Sequence, residues 1–293
     1  MVRPKRGAFP RRSMNEVRFL EARSVDEGPA AVVIQGAPYD GGVSYRAGAR
    51  QAPHDVRVAS DSIESYSYRF GRDLIDVELA DAGDIDLAGV DAETAMERIA
   101  RATARLHEDL GAAVITFGGD HSISIGTSRG LGKVHPGLVH LVFDAHMDMR
   151  PSYDGSDLSH ACGTRHMAMA GPTCVLGVRS GSREEYADAD KMLTAWSESL
   201  EVPDAMRAEM RGAPVFVSVD MDVLDPSILP GTGNPEPGGP TYRELRDALL
   251  ALEGARIVGI DFVEVAPALD SSGLSPIVAA EIARDAILGL IAR

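Results

Sequence analysis

Short apolar runs and helical stretches alternate along this chain. The runs at 31–35, 74–79, 113–117, 138–143, 174–178, 215–219 and 256–263 are rich in Val, Ile, Leu and Phe, and each soon gives way to glycine or polar residues. Apolar runs of this length, bounded in this way, predict strands buried in a sheet. Between them the period changes. From 92 to 110, Ala92, Ala95, Met96, Ile99, Thr103, Leu106 and Leu110 recur every three or four residues behind Asp91, a good N-cap. Helices are likewise predicted over 48–60, with Pro53 in the first turn, over 160–170, over 191–210 with a break at Pro203, over 241–252, capped by Thr241, and over 275–291. This alternation predicts one α/β domain with a mainly parallel sheet flanked by helices. The stretch 225–240 is a long loop rich in proline and glycine. No internal repeat, low-complexity linker or composition break marks a second domain. We expect a single domain over 26–293, preceded by a basic N-terminal tail or arm over 1–25.

Composition narrows the function. The 293 residues can bury a sizeable core, and 44% hydrophobic with 25% charged residues is ordinary for a globular protein. No apolar run reaches the roughly 18 residues of a membrane span, and no apolar segment follows the basic N-terminus as in a secretory signal. Two cysteines, Cys162 and Cys174, are too few for a disulfide scaffold. A cytoplasmic protein without a membrane partner is expected. The net charge of -15 argues against nucleic acid, which requires a basic surface. It would instead draw in a small cation and metal ions.

Metal-capable side chains gather where the predicted strands end. Asp144, His146 and Asp148 follow the 138–143 run at alternate positions, which share one face of an extended chain. Alone, that triplet reads equally as a polar strand end leading into a solvated loop. However, His121 follows the 113–117 run, and Asp220 and Asp222 follow 215–219. The carboxyl ends of parallel strands line the crevice where α/β proteins bind ligands. Two histidines and four aspartates exceed the needs of one tetrahedral ion. With bridging carboxylates they suit two ions roughly 3.5–4 Å apart. An oxygen-rich set favours Mn²⁺ over zinc.

Three blocks make the chain recognisable: Gly118-Gly119-Asp120-His121-Ser122, Asp144-Ala145-His146-Met147-Asp148 and Ser218-Val219-Asp220-Met221-Asp222, the last continuing through Asp225-Pro226 to the run from Pro230 to Gly239. The sequence resembles the ureohydrolases, the family of arginase and agmatinase. The likeness runs from Gly36 through Tyr45-Arg46-Ala47-Gly48 to Glu264-Val265-Ala266-Pro267. It implies a three-layer α/β/α arginase-like fold and two Mn²⁺ ions per subunit. One ion would be held by His121, Asp144, Asp148 and Asp220, the other by His146, Asp144, Asp220 and Asp222, with Asp144 and Asp220 bridging. The implied reaction hydrolyses a guanidino group to an amine and urea. Guanidinium is a resonance-stabilised cation and a poor electrophile, so the ions have to act on the nucleophile, bringing a water to hydroxide near neutral pH. By the same resemblance Asp148 stabilises the intermediate and hands a proton to the leaving amine, Glu264 orients the guanidinium, and His160 shuttles protons or contacts substrate. Arg165 keeps the family spacing from His160. His166 receives no role, and His54, His107, His135 and His140 fit no motif.

The resemblance also bears on the substrate. Arginases clamp the α-amino and α-carboxylate groups with asparagines where this chain has Arg150 and Leu158. The segment 150–160 is most similar to agmatinase, which gives putrescine and urea from agmatine. Arg150 in a substrate-binding position would also suit a guanidino acid: guanidinobutyrate, guanidinopropionate or proclavaminate. Gln51-Ala52-Pro53 and the segment 271–276 depart from the common pattern at the pocket mouth. A single-zinc deacetylase-like amidohydrolase of the same fold is a reading from another class, and His121 speaks against it. By resemblance a homotrimer or homohexamer is expected.

Overall fold

Parallel pairing organises the molecule, whose computed structural model describes residues 17–291. In chain order the elements are β1 (Arg23–Ser24), β2 (Val32–Ala37), α1 (Ala52–Ser60), β3 (Tyr66–Ser67), β4 (Arg72–Asp73), β5 (Leu79–Asp84), α2 (Ala92–Leu110), β6 (Ala113–Gly118), α3 (Ile123–Val134), β7 (Val139–Phe143), α4 (Gly163–Ala170), β8 (Thr173–Leu176), α5 (Arg183–Met192), β9 (Ala195–Ser197), α6 (Asp204–Glu209), β10 (Pro214–Asp220), α7 (Tyr242–Leu250), β11 (Arg256–Val263) and α8 (Leu274–Ala286). Nine strands form one sheet in the order β1-β5-β2-β6-β11-β10-β7-β8-β9, and every pairing in it is parallel. Strands β3 and β4 pair antiparallel on their own.

The strand pattern dictates two cores. Successive side chains leave a strand on opposite faces. On β10, Val215, Val217 and Val219 pack into the larger core, whereas Phe216 enters a second one with Val142, Met167 and Val175. The larger core takes its helical side from α1, α6, α7 and α8 through Val56, Met206, Leu245, Leu249, Val278 and Ile282. On the other face stand α2 and α3 with Met96, Ile99 and Ile123, and then α4 and α5 with Met167 and Ala189. Helices thus cover both faces, as an all-parallel sheet requires. The expected three-layer α/β/α architecture is observed.

The predicted elements differ from the observed ones in several places, among them α3, over which no helix is predicted. Residues 74–76 form a 3₁₀ turn because the Asp73 carboxylate caps it from below, accepting from Ile75 N–H, and the strand starts only at Leu79. The helix predicted over 191–210 is instead α5 and α6 with the edge strand β9 between them. Ser182 and Glu185 form a capping box that starts α5 eight residues early. The 160–170 helix opens with a 3₁₀ turn, His160–Cys162. Of the arm expected over 1–25, residues 1–16 lie outside the described residues. Phe19 and Leu20 are buried and Arg23–Ser24 pairs with β5, so 17–25 is built into the fold. The two cysteines are buried and unbridged. Among the described residues no helix is long and apolar enough to cross a membrane.

One buried imidazole gives the fold a pH dependence. His140, on β7, lies with Nε2 2.8 Å from Ser128 Oγ and Nδ1 3.4 Å from Thr173 Oγ1. Thr173 Oγ1 donates to Gly171 O, so it accepts from Nδ1–H, and Nε2 accepts from Ser128. The neutral ring is satisfied, and burial pushes its pKa down to about 4. An unfolded imidazole protonates near 6.5. Between those values the unfolded state holds the extra proton, so stability falls as pH drops from about 6.5 to about 4. At about 1.4 kcal/mol per pH unit the loss is roughly 3 kcal/mol. Urea midpoints across this window are expected to fall more steeply for the wild type than for His140→Gln. Parallel curves would contradict this.

Candidate metal centre

The four central strands β6-β11-β10-β7 are contiguous in the sheet, and their carboxyl ends carry the candidate residues. His121 follows β6. Asp144, His146 and Asp148 follow β7. Asp220 ends β10, and Glu264 follows β11. The ends are drawn together by close backbone contacts. Gly119 N–H donates to Ala37 O, Asp120 N–H to Tyr39 O, and Glu264 N–H to Gly119 O, each at 2.9 Å. A methyl group at Gly119 would stand 1.4 Å from the Tyr39 carbonyl oxygen, so only glycine permits this approach.

Two sets of ligand atoms result. His121 Nδ1 lies 3.1 Å from Asp144 Oδ2, 3.2 Å from Asp148 Oδ2 and 3.2 Å from Asp220 Oδ2. His146 Nδ1 lies 3.6 Å from Asp144 Oδ1 and 3.1 Å from Asp222 Oδ2. His121, Asp144 and Asp220 form one group able to hold an ion, and Asp144, His146 and Asp222 form another. Asp144 faces each group with a different oxygen, a geometry suited to bridging. The six sequence-predicted ligands therefore meet in one place. Asp148 joins the His121 group through its 3.2 Å contact, and Asp220 stands in the same group.

The residues fit divalent cations. Asp144 Oδ2 is buried and accepts no hydrogen bond, an expensive state unless something else binds it. Four carboxylates share the site with two imidazoles. Burial, then the neighbouring Asp222 and Asp144, raises the Asp220 carboxyl well above its usual range. Burial and Asp144 push Asp148 up to about 6, against the opposing pull of His121. Cations placed among these groups would relieve that repulsion. Asp148 also adopts a left-handed backbone with φ of 50°, and Glu264 one with φ of 59°. Such conformations in non-glycine residues mark functional sites.

Partners behind the ligands are in place. His121 Nε2 lies 3.0 Å from Ser218 Oγ, which donates to Asp261 Oδ1 at 2.7 Å. That chain makes Nε2 the protonated nitrogen and leaves the Nδ1 lone pair for a metal. Burial lifts Asp261 to about 6. Neither Ser218 nor Asp261 was singled out by sequence, although Ser218 stands two residues before Asp220 on β10 and so shares its face.

His160 and Glu264 form the other half of the site. Glu264 Oε1 accepts from His121 N–H at 2.9 Å and lies 3.1 Å from His160 Nδ1. His160 Nε2 lies 2.8 Å from Ser44 Oγ. Burial disfavours the imidazolium, but Glu264, Asp148 and Asp120 outweigh it and raise His160 to about 9. Ser44, in the loop after β2, is a site residue that its sequence context did not flag.

A cavity of about 350 Å³ opens onto this centre, lined by His146, Asp148, Asp220, Asp222 and His160 and also by Arg150, Tyr153, Ser180, Ser182, Glu185 and Asn234. Glu264, 2% exposed, is not among its lining residues. Arg150 does line it. Its Nη2 lies 3.4 Å from Glu185 Oε2, and its guanidinium carbon 5.2 Å from the centre of the Tyr153 ring. Glu185 is held by Met149 N–H at 3.2 Å and Ser182 N–H at 2.9 Å. A larger groove at the opposite, amino ends of β10 and β11 contains none of the six metal-capable residues.

Known proteins are similar to this chain over most of its length. The arginase family model matches residues 30–289. Agmatinase of Bacillus anthracis is 38% identical over 267 residues, 89% of this chain and 92% of that protein. Proclavaminate amidinohydrolase of Streptomyces clavuligerus is 34% identical over 273 residues, 86% and 85% of the two chains. The crystal structure of agmatine ureohydrolase of Thermoplasma volcanium superposes with a TM-score of 0.82 at 33% identity, covering 93% of this chain and 94% of that one. Fold and site together define a hydrolase that acts on carbon–nitrogen bonds of linear amidines. The chain belongs to the arginase family.

Proposed function

We propose that this protein hydrolyses agmatine to putrescine and urea with two Mn²⁺ ions per subunit, as a cytoplasmic homotrimer or homohexamer. One observation carries the choice of substrate. Asp148, Asp220, Asp222 and Glu185 line the cavity, and Arg150 in its wall is already paired with Glu185. With Arg150 engaged by Glu185 and the other three carboxylates committed to the ions, the wall offers no free cation to a substrate carboxylate, which favours agmatine over a guanidino acid. The agmatinase of B. anthracis, at 38% identity, supports the same reading.

His121, Asp144, Asp148 and Asp220 would hold one ion, and His146, Asp144 and Asp222 the other, with Asp220 shared. Divalent ions in these places supply Lewis acidity, which brings the pKa of a bound water toward neutrality. The remaining steps belong to the chain. Asp148, at the cavity side of the His121 group, accepts a proton and passes it to the departing amine. His160, held between Glu264 and Ser44, relays protons between that centre and the cavity. Glu264 fixes the orientation of the His160 ring and completes the charge that faces the guanidinium.

Arg150 favours a second reading. Its side chain is 39% exposed, so a guanidino acid could draw it from Glu185. Urea release from the Mn²⁺-loaded enzyme decides between them, tested on agmatine, arginine, guanidinobutyrate, guanidinopropionate and proclavaminate. Agmatine is expected to give the highest kcat/KM. Preference for guanidinobutyrate would move the assignment to a guanidino-acid hydrolase. One bound ion per chain, measured by metal analysis, would contradict the two-ion centre.

A further inference from the structure

Two histidines outside the metal centre face each other where α2 and α3 end. His107 lies in the last turn of α2, and His135 caps the end of α3. Small residues on α3 bring the two together. A methyl group at Gly126 would stand 2.8 Å from Ile99 Cβ, and one at Gly130 2.5 Å from Ala100 O, so α3 lies directly on the backbone of α2. That contact runs on to the helix ends, where His107 Nε2 and His135 Nε2 come within 2.7 Å.

The backbone fixes one of the rings. His107 Nδ1 lies 2.8 Å from Ala112 O, a carbonyl that can only accept, so Nδ1 carries the hydrogen and Nε2 is left with a lone pair. His135 Nε2–H donates to that lone pair. Burial, then His107 and Arg256, lower the pKa of His135 below the ordinary imidazole value, so this ring is neutral at physiological pH. Its Nδ1 meets no protein partner among the described residues and can take the hydrogen when Nε2 gives it up. Both Nε2 atoms can then present lone pairs to one point. A carbonyl behind an imidazole is also the arrangement that orients metal-ligating histidines.

The donors select the cation. Two imidazoles without a carboxylate suit Zn²⁺, Ni²⁺ or Cu²⁺, whereas Mn²⁺ prefers the oxygen-rich set of the centre. Nitrogens at about 2.0–2.1 Å from a tetrahedral ion stand roughly 3.3 Å apart, so the rings have to part by only about 0.6 Å. His135 can supply that movement, because α3 ends there and Pro136-Gly137 follows. Among the described residues only the His121 and His146 groups gather three ligand atoms, so water completes the sphere here. Arg256 acts on His135 as a neighbouring cation and keeps the affinity below that of the carboxylate centre.

We propose that His107 and His135 form a separate metal site, chelating one late first-row transition-metal ion between α2 and α3 and tying the two helix ends together. The site stands apart from the Mn²⁺ centre. Helix α3 begins two residues after His121, and His135 follows its far end, about 18 Å away at 1.5 Å per residue. It is independent of which guanidine the enzyme hydrolyses.

The test adds Zn²⁺ to the Mn²⁺-loaded enzyme in excess Mn²⁺ and counts zinc per chain after equilibrium dialysis. The wild type is expected to bind one zinc more than His107→Gln or His135→Gln. Zinc that exchanges into the carboxylate centre does so equally in all three and cancels from the difference. Each substitution should weaken the zinc affinity of the pair at least tenfold, since loss of a mere outer partner of a metal ligand already costs about that much. Glutamine keeps an N–H for Ala112 O, so His107→Gln should hold the fold. His135→Cys, which brings a thiolate, should recover the extra zinc. Saturating zinc should raise the melting temperature of the wild type and of His135→Cys above that of the glutamine variants. Equal zinc counts in the wild type and both glutamine variants would overturn the proposal. So would a His135→Cys enzyme that melts like the wild type without zinc and still fails to take up the extra ion.

Discussion

Replacing Asp144 with Asn is expected to remove both metal positions and lower urea release by about a thousandfold or more. Asp144 turns Oδ2 toward His121 and Oδ1 toward His146, so each group loses a charged ligand when one side chain is changed. The rate effect follows from the chemistry the ions supply, since bulk water ionises with a pKa near 15.7 and metal-bound water near 7. Asparagine retains an oxygen for the His146 N–H, which donates to Oδ1 at 2.6 Å, so the local backbone has no reason to rearrange. Without metal the two should differ little, because Asp144 repels Asp148 and Asp220 but attracts His121 and His146. With metal the wild type should be the more stable. An ion at a hundred times its dissociation constant stabilises a protein by about 2.7 kcal/mol, and only the wild type would gain it. Metal analysis and melting curves with and without chelator check both halves. Two retained ions in Asp144→Asn would sink the bridging role, whatever happened to the rate.

What could be read from sequence followed its physical range. Strand β10 and its neighbours were legible because buried parallel strands are unbroken apolar runs, and Asp144, His146 and Asp148 were legible because a period of two needs no tertiary knowledge. That β11 lies between β6 and β10 was not legible, since strand order is a property of the crossovers. Yet it is this order that brings Glu264 beside His121. Ser44 escaped for a related reason, and Ser218, although inside the third block, received no role. Serine is common in loops and strand ends, and only the contacts with His160 and with His121 distinguish these two. Strand β9 was read as helix because its three residues are too short to impose a period, while Pro203 marked the break but not its extent. Arg150 was identified as a pocket residue, but its partner Glu185 lies 35 positions away on a helix whose start was misplaced. That pairing alters the meaning of the arginine. An arginine engaged by Glu185 is not available to a substrate carboxylate, whereas a free one would have favoured an acid.

Glu264→Gln should lower kcat by roughly a hundredfold or more at neutral pH while both ions stay bound, the range expected when a positioned proton-transfer group is disabled. The hydrogen bonds on its carboxylate, from His121 N–H and from the His160 ring, both fall on Oε1. Glutamine preserves an acceptor there and removes the charge. The charge matters because His160 is buried, and burial alone would strip its proton. Glu264 opposes that and, with Asp148 and Asp120, holds the imidazolium to about pH 9. Without it the ring loses its proton at lower pH, and the sign is fixed. If the imidazolium is the working form, the alkaline limb of the kcat profile moves toward acid, in the direction of the ordinary imidazole value near 6.5. A structural loss would lower the whole profile without moving its limbs, and would show in melting temperature or metal content. A rise in KM with kcat and the limb unchanged would assign Glu264 to substrate binding alone. The predicted shift separates these cases because Glu264 meets the site through His160: the group that neutralises the guanidinium's surroundings also sets the protonation of the ring beside it, so one substitution alters binding and proton relay together and the pH profile apportions the loss.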